Sequence, residues 1–73
     1  MQQFHISEEF IELNRLLKVL NLAETGGQAN QMISDGLITV NGSVELRKRR
    51  KLRAGDIVNT GASEIEIAED MGE

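Results

Sequence analysis

The apolar residues of this chain follow two spacings, and the switches between them mark out its elements. Phe4 and Ile6 alternate with polar neighbours, the period of an extended segment, which predicts a short strand over 3–6. Phe10, Leu13, Leu16, Leu17 and Leu20 then recur at helical spacing as one stripe, predicting a first helix over 8–20. Ser7 stands where its hydroxyl can cap that helix, and Glu8 and Glu9 stand where the helix dipole favours carboxylates. Thr25 and Gln28 have the spacing of a capping box, so a second helix opens there. Ala29, Met32 and Ile33 form its inward face, and Gly36 supplies the left-handed residue that ends it.

Beyond Gly36 the period returns to two. Ile38 and Val40 alternate with Thr39, Asn41-Gly42 follows, and Val44 and Leu46 resume the alternation. An Asn-Gly pair tolerates the positive φ angles of a type I′ turn, so the pattern predicts a β-hairpin with strands at 37–41 and 43–46. Five consecutive cations come next, Arg47, Lys48, Arg49, Arg50 and Lys51, with Arg53 two positions on. Continued as a strand, this segment would turn Lys48 and Arg50 to the same side as Leu46 and Leu52, facing the core unpaired. It is therefore expected to bulge, turn or follow an edge, with its cations in water. Residues 53–56 read as a turn, Ile57 and Val58 as a strand, 60–62 as a turn, and 64–67 as a strictly alternating, half-exposed strand. Residues 69–73 read as a frayed acidic tail. The core expected from this pattern is Phe10, Leu13, Leu17, Leu20, Ala29, Met32, Ile33, Ile38, Val40, Leu52 and Val58.

Seventy-three residues make one domain, 1–73, too small for a large enzyme pocket. Without cysteine there is neither a disulfide framework nor a cysteine zinc site. No apolar run is long enough to span a bilayer and no signal peptide is evident, so a soluble, cytoplasmic protein without a membrane partner is expected. The net charge of -4 argues against nucleic acid, but its distribution argues for it. Six of the eight basic residues lie between 47 and 53, and the other two share the rest of the chain with all twelve acidic ones. A +6 window thus stands on a body of -10. Solvent screens charges beyond about 8 to 10 Å, so the window attracts phosphate locally while the acidic remainder discourages indiscriminate binding.

Leu13-Asn14-Arg15-Leu16-Leu17, Ala29 through Met32-Ile33, Gly36, Ile38, Val40-Asn41-Gly42 and Gly55-Asp56-Ile57-Val58 together resemble the RNA-binding domain named after small-subunit ribosomal protein four. The length and the run from Glu45 to Arg49 are most similar to free-standing bacterial proteins of the YbcJ type. The resemblance implies an α+β chain with the αL fold, two helices on a small, mostly antiparallel sheet of four to five short strands. It also implies binding of structured RNA through the start of the first helix, the second helix and the loop after the hairpin. Arg15 matches the first of these sites. On the second helix Gly26 and Asn30 stand where the family carries arginines, which leaves Thr25, Gln28, Asn30 and Gln31 as neutral hydrogen-bonding groups. Arg47, Lys48, Arg49, Arg50, Lys51 and Arg53 carry the electrostatic attraction.

Catalysis finds no support. His5, the only histidine, has no second ligand or nucleophile near it in sequence, Glu64 and Glu66 read as the wet face of a strand, and Gly26-Gly27 lacks the surroundings of a phosphate loop. No cofactor is expected. The leading function is that of a monomeric RNA-binding module, contacting the backbone of helical or junction RNA of the ribosomal or transfer class. Aromatic side chains for base stacking are too few, because Phe4 and Phe10 are both assigned to the core. Two other classes compete. A helix-turn-helix DNA binder would place 25–35 in the major groove with no Lys or Arg there, and a protein-binding adaptor would dock the basic loop on an acidic surface.

Overall fold

The first strand and the last strand among the described residues meet in one sheet. In the computed structural model, which describes residues 1–70, strand β1 (Gln2–Ile6) runs parallel to the last strand, β7 (Glu64–Glu69), with Phe4 opposite Ile67. Between them in sequence lie β2 (Ile11–Glu12), helix α1 (Leu13–Val19), helix α2 (Gly26–Ser34), β3 (Thr39–Val40), β4 (Ser43–Val44), β5 (Lys51–Leu52) and β6 (Ile57–Asn59). The main sheet has five strands in the order β1-β7-β6-β3-β4, antiparallel except for β1 with β7, and β2 pairs with β5 in a separate two-stranded ladder. The chain is α+β, two helices packed on a small, mostly antiparallel sheet as expected.

The core joins both spacings. Leu13, Leu16 and Leu17 from α1, Ala29 and Ile33 from α2, and Ile38, Val40, Leu52, Val58, Ile65 and Ile67 from the strand segments are buried together, along with Ile6, Ile11 and Ala23. Leu20 and Met32 are half-buried against this cluster. Phe10, expected in the core, stands outside it; its ring lies beneath Lys51 Nζ, 4.9 Å away, and the Arg53 guanidinium, 5.7 Å away.

The first helix departs from its expected start. Ser7 and the two glutamates form a bend, and α1 begins only at Leu13, with Glu12 as its cap residue and no side-chain cap. Ile11 is paired instead with Leu52, and burying that apolar strand pair outweighs one more turn of exposed helix. The orphan amides of the helix start are then satisfied by main chain: Leu13 N donates to Arg50 O at 2.9 Å and Asn14 N to Lys48 O at 3.0 Å.

The second helix keeps its predicted ends. Thr25 Oγ1 accepts from Gln28 N at 3.0 Å, while the reciprocal bond shifts by one residue, Gln28 Oε1 accepting from Glu24 N at 2.7 Å. Past Asp35 the chain turns through Gly36 at φ +75°, where Gly36 N donates to Ile33 O and Leu37 N to Met32 O, the two bonds of a Schellman ending. Asn41 and Gly42 both take positive φ, 54° and 88°, as the hairpin turn requires. The hairpin strands are shorter than expected, although Glu45 N still donates to Ile38 O. Of the expected acidic tail, Glu69 ends β7 and Asp70 N donates to Ile6 O, while 71–73 lie outside the described residues.

Candidate nucleic-acid interface

The basic segment leaves the hairpin as a tight turn, Arg50 N donating to Arg47 O at 3.3 Å, and re-enters pairing at Lys51 and Leu52 against β2. Because Lys48 O and Arg50 O take the first amides of α1, the turn is held on the helix start at one side and on a strand at the other. The four side chains of Arg47, Arg49, Arg50 and Lys51 line a shallow open concavity. The expectation of a turn is met.

The expectation that its cations stand in water holds for five of the six and fails for Arg50, which is half-buried. Residue 45 is turned toward the core, on the face of the hairpin that carries Ile38 and Val40, while Val44 and Leu46 are exposed on the outer face. Glu45 is only 7% exposed. A buried carboxylate must be fully hydrogen-bonded to be tolerated, and this one accepts from Arg47 N (2.9 Å), Arg47 Nε (2.9 Å), Arg47 Nη2 (3.0 Å) and Arg50 Nη1 (2.7 Å). The Arg47 side chain is the main cause that brings the Glu45 carboxyl down to about 2, against the opposing effect of burial, with the Arg47 amide and Arg50 adding to the depression. Arg49 Nε meets Glu12 Oε2 at 3.1 Å. Three of the six cations, Arg47, Arg49 and Arg50, are thus paired with two carboxylates, which offsets part of the repulsion among the five consecutive positive charges. Paired arginines still present donors: the Arg47 side chain is 72% exposed, and two of its five N–H groups engage Glu45.

The other predicted contact residues fall in different places. Arg15 is exposed and, with Val19, borders an open groove whose far side includes Phe4, Glu8, Glu9 and Phe10. Thr25 and Gln28 engage their oxygens in the helix cap, and Gln31 Nε2 donates to Asp35 Oδ1 at 2.8 Å. Asn30 is half-buried and accepts from Asn14 Nδ2 at 3.2 Å. Asn14 is also the residue whose amide holds Lys48, so it connects the basic turn to α2. Lys18, one helical turn on, runs beside the start of α2, its Cδ 4.0 Å from where a Cβ on Gly26 would stand. Asn14 was read only as part of the run Leu13 to Leu17, and Lys18 did not stand out in the sequence. Their i, i+4 spacing on one flank of α1 was the available signal, but nothing local shows which element that flank faces. Among the described residues no group of three or more His, Cys, Asp or Glu side chains could hold a metal ion, and no helix is long and apolar enough to cross a membrane.

Comparison with known proteins places these features. Residues 4–68 match the family described as the S4 domain. YbcJ of Escherichia coli K12, provisionally named an RNA-binding protein, is 39% identical over 57 residues, covering 78% of this chain and 81% of that protein. RlbA of Bacillus subtilis 168, provisionally named a ribosome maturation protein, is 36% identical over 53 residues, covering 73% and 75%. The solution structure of Escherichia coli YbcJ, described as revealing an αL motif involved in RNA binding, superposes with a TM-score of 0.71 at 35% identity, covering 93% of this chain and 87% of that one.

Proposed function

The chain belongs to the S4 domain family, and we propose that it is a cytoplasmic, monomeric RNA-binding protein that contacts the phosphate backbone of structured RNA through the basic turn 47–53. The observation that carries this reading is the concavity lined by Arg47, Arg49, Arg50 and Lys51, anchored by main-chain bonds to the start of α1. Guanidinium forks match phosphate oxygens, and their placement on an otherwise acidic body focuses the attraction on one surface. The names of the relatives support RNA as the partner, and the ribosome maturation name supports ribosomal RNA within that class.

Each predicted residue has a role in this reading. Arg47, Lys48, Arg49, Arg50, Lys51 and Arg53 position the RNA by its backbone, and Arg15 extends the contact along α1. Asn30 reaches the RNA from the α2 side, where Asn14 places it beside the turn. Thr25, Gln28 and Gln31 act chiefly by shaping α2. Such contacts read geometry rather than base sequence, which suits helical or junction RNA. A major-groove helix is disfavoured because α2 carries no cation and most of its polar side chains are engaged within the protein.

A filter-binding comparison of structured RNA, duplex DNA and immobilised acidic protein fractions tests the reading. Retention of structured RNA is expected, with log K falling against log salt at a slope of roughly -2 to -4 for three or four neutralised phosphates. Preferential retention of the protein fractions, or a flat salt dependence with RNA, would overturn it in favour of an adaptor.

A further inference from the structure

Glu45 occupies a position where the hairpin pattern calls for an apolar residue. It shares the inner face with Ile38 and Val40 while Val44 and Leu46 on either side are turned to water. A carboxylate there costs desolvation that a valine would not, so its stabilising contribution to the hairpin does not account for it. What it accomplishes is local and directional. Its two oxygens take the Arg47 amide, the two N–H groups along one edge of the Arg47 guanidinium and one N–H of Arg50. Arg47 is held from behind as a fork, with its remaining donors facing out, and Arg50, 28% exposed, is held at the turn's inner side.

Two flexible side chains are thereby ordered before any ligand arrives. An arginine that must be immobilised on binding lowers affinity, whereas one already fixed in a productive orientation does not. Resting on the RNA-binding reading above, we infer that Glu45 is a positioning residue of that site: it pre-organises Arg47 and Arg50 for phosphate, so that removing this negative charge weakens RNA binding. The sign separates this from ordinary screening. A carboxylate that merely offsets cations would, when neutralised, tighten binding by up to about sevenfold at ~0.1 M salt, the effect of one more released counterion.

The test is titration of a fluorescein-labelled RNA stem–loop, with total ribosomal RNA as a second probe, against wild type, Glu45→Gln and the triple variant Arg47→Ala, Arg49→Ala, Lys51→Ala, with circular dichroism confirming each fold. Glu45→Gln is expected to bind roughly 3- to 10-fold more weakly, the loss of order in one or two arginines, despite the gain of one positive charge. Unchanged or tighter binding by folded Glu45→Gln, beside a weakened triple variant, overturns the positioning role and leaves the RNA reading intact. Full affinity in the triple variant overturns both. A measurement on the wild type guards against a variant that does not fold. In the free protein the Arg47 Nε–H proton resonance should be visible and slow to exchange at neutral pH, and the same signal exchanging as fast as that of Lys48 would also overturn the inference.

Discussion

The basic turn and α2 were both expected to meet a ligand, and they treat their polar groups in opposite ways. In the turn, Arg47, Arg49 and Arg50 each have a carboxylate partner, yet charge and spare donors remain directed outward because a guanidinium has more N–H groups than one partner can use. On α2 the polar groups are neutral, and each of these side chains carries one internal bond while bringing no charge to the surface. Thr25 and Gln28 close the helix start, Gln31 is tied to Asp35, and Asn30 is tied to Asn14. Pairing therefore organises a cationic loop without silencing it, whereas on α2 it fixes neutral side chains that hold the helix in shape and leave only a minor, uncharged contact at Asn30. Asn14 connects the two regions, its amide to Lys48 and its side chain to Asn30.

The largest expected effect lies in the turn. At ~0.1 M salt, each phosphate that is no longer neutralised weakens binding by a factor of about 5 to 8. Replacing Arg47, Arg49 and Lys51 with Ala should therefore reduce RNA affinity on the order of 100-fold and flatten the salt slope by about 2 to 3. Titration at several salt concentrations reads both. If α2 were the dominant surface, the slope would hardly change.

A smaller effect concerns the stability that the turn gains from Glu45. Its carboxyl is lowered from 4.5 to about 2 in the folded chain, first by the Arg47 side chain. A depressed carboxylate stabilises the fold fully above its unfolded value and loses that contribution as pH falls through the folded one, here between about pH 4.5 and pH 2. Allowing for screening at the exposed Arg47 guanidinium, roughly 1 to 2 kcal/mol is at stake. Other carboxylates titrate in the same window, so the check is the difference between wild type and Glu45→Gln in urea unfolding at pH 6 and pH 2. The pH-dependent loss should be smaller in the variant by that amount; equal losses would mean that the pair does not persist in solution.

Two substitutions on α2 sharpen the contrast from the other side. Thr25→Ala should cost about 1 kcal/mol of stability through removal of the cap and leave the affinity and salt slope of the folded protein unchanged. A folded Thr25→Ala protein with reduced affinity would restore the helix start to the interface. Asn30→Ala should have the smallest effect, roughly twofold on affinity for the best RNA, with reduced discrimination between RNAs and the same slope, since a neutral side chain displaces no counterion. Competition between two structured RNAs measures it, and a flattened slope would show that the residue supports the turn instead.

Features decided within a few residues were legible in the sequence. Thr25 with Gln28, Gly36 and Asn41-Gly42 carry their own geometry, through a side-chain oxygen that reaches an amide three residues on or a backbone able to take positive φ, and the helix start, helix end and turn were read correctly, although the Gln28 side chain takes the amide of Glu24 and not that of Thr25. The leucine stripe and the +6 window were equally plain, because periodicity and charge are properties of the chain itself. The same local reasoning failed where distant segments compete. Ser7, Glu8 and Glu9 form a sound helix-start signal, but pairing of Ile11 with Leu52 buries two apolar side chains and sets the helix start at Leu13. Alternation named Val44 and Leu46 as strand residues but could not say which face points inward, and the sheet turned Glu45 in. That choice depends on two arginines that reach back from the turn to neutralise it. Burial of a charge is a property of the folded surroundings, so only the tertiary structure could decide that the basic turn is built around a carboxylate.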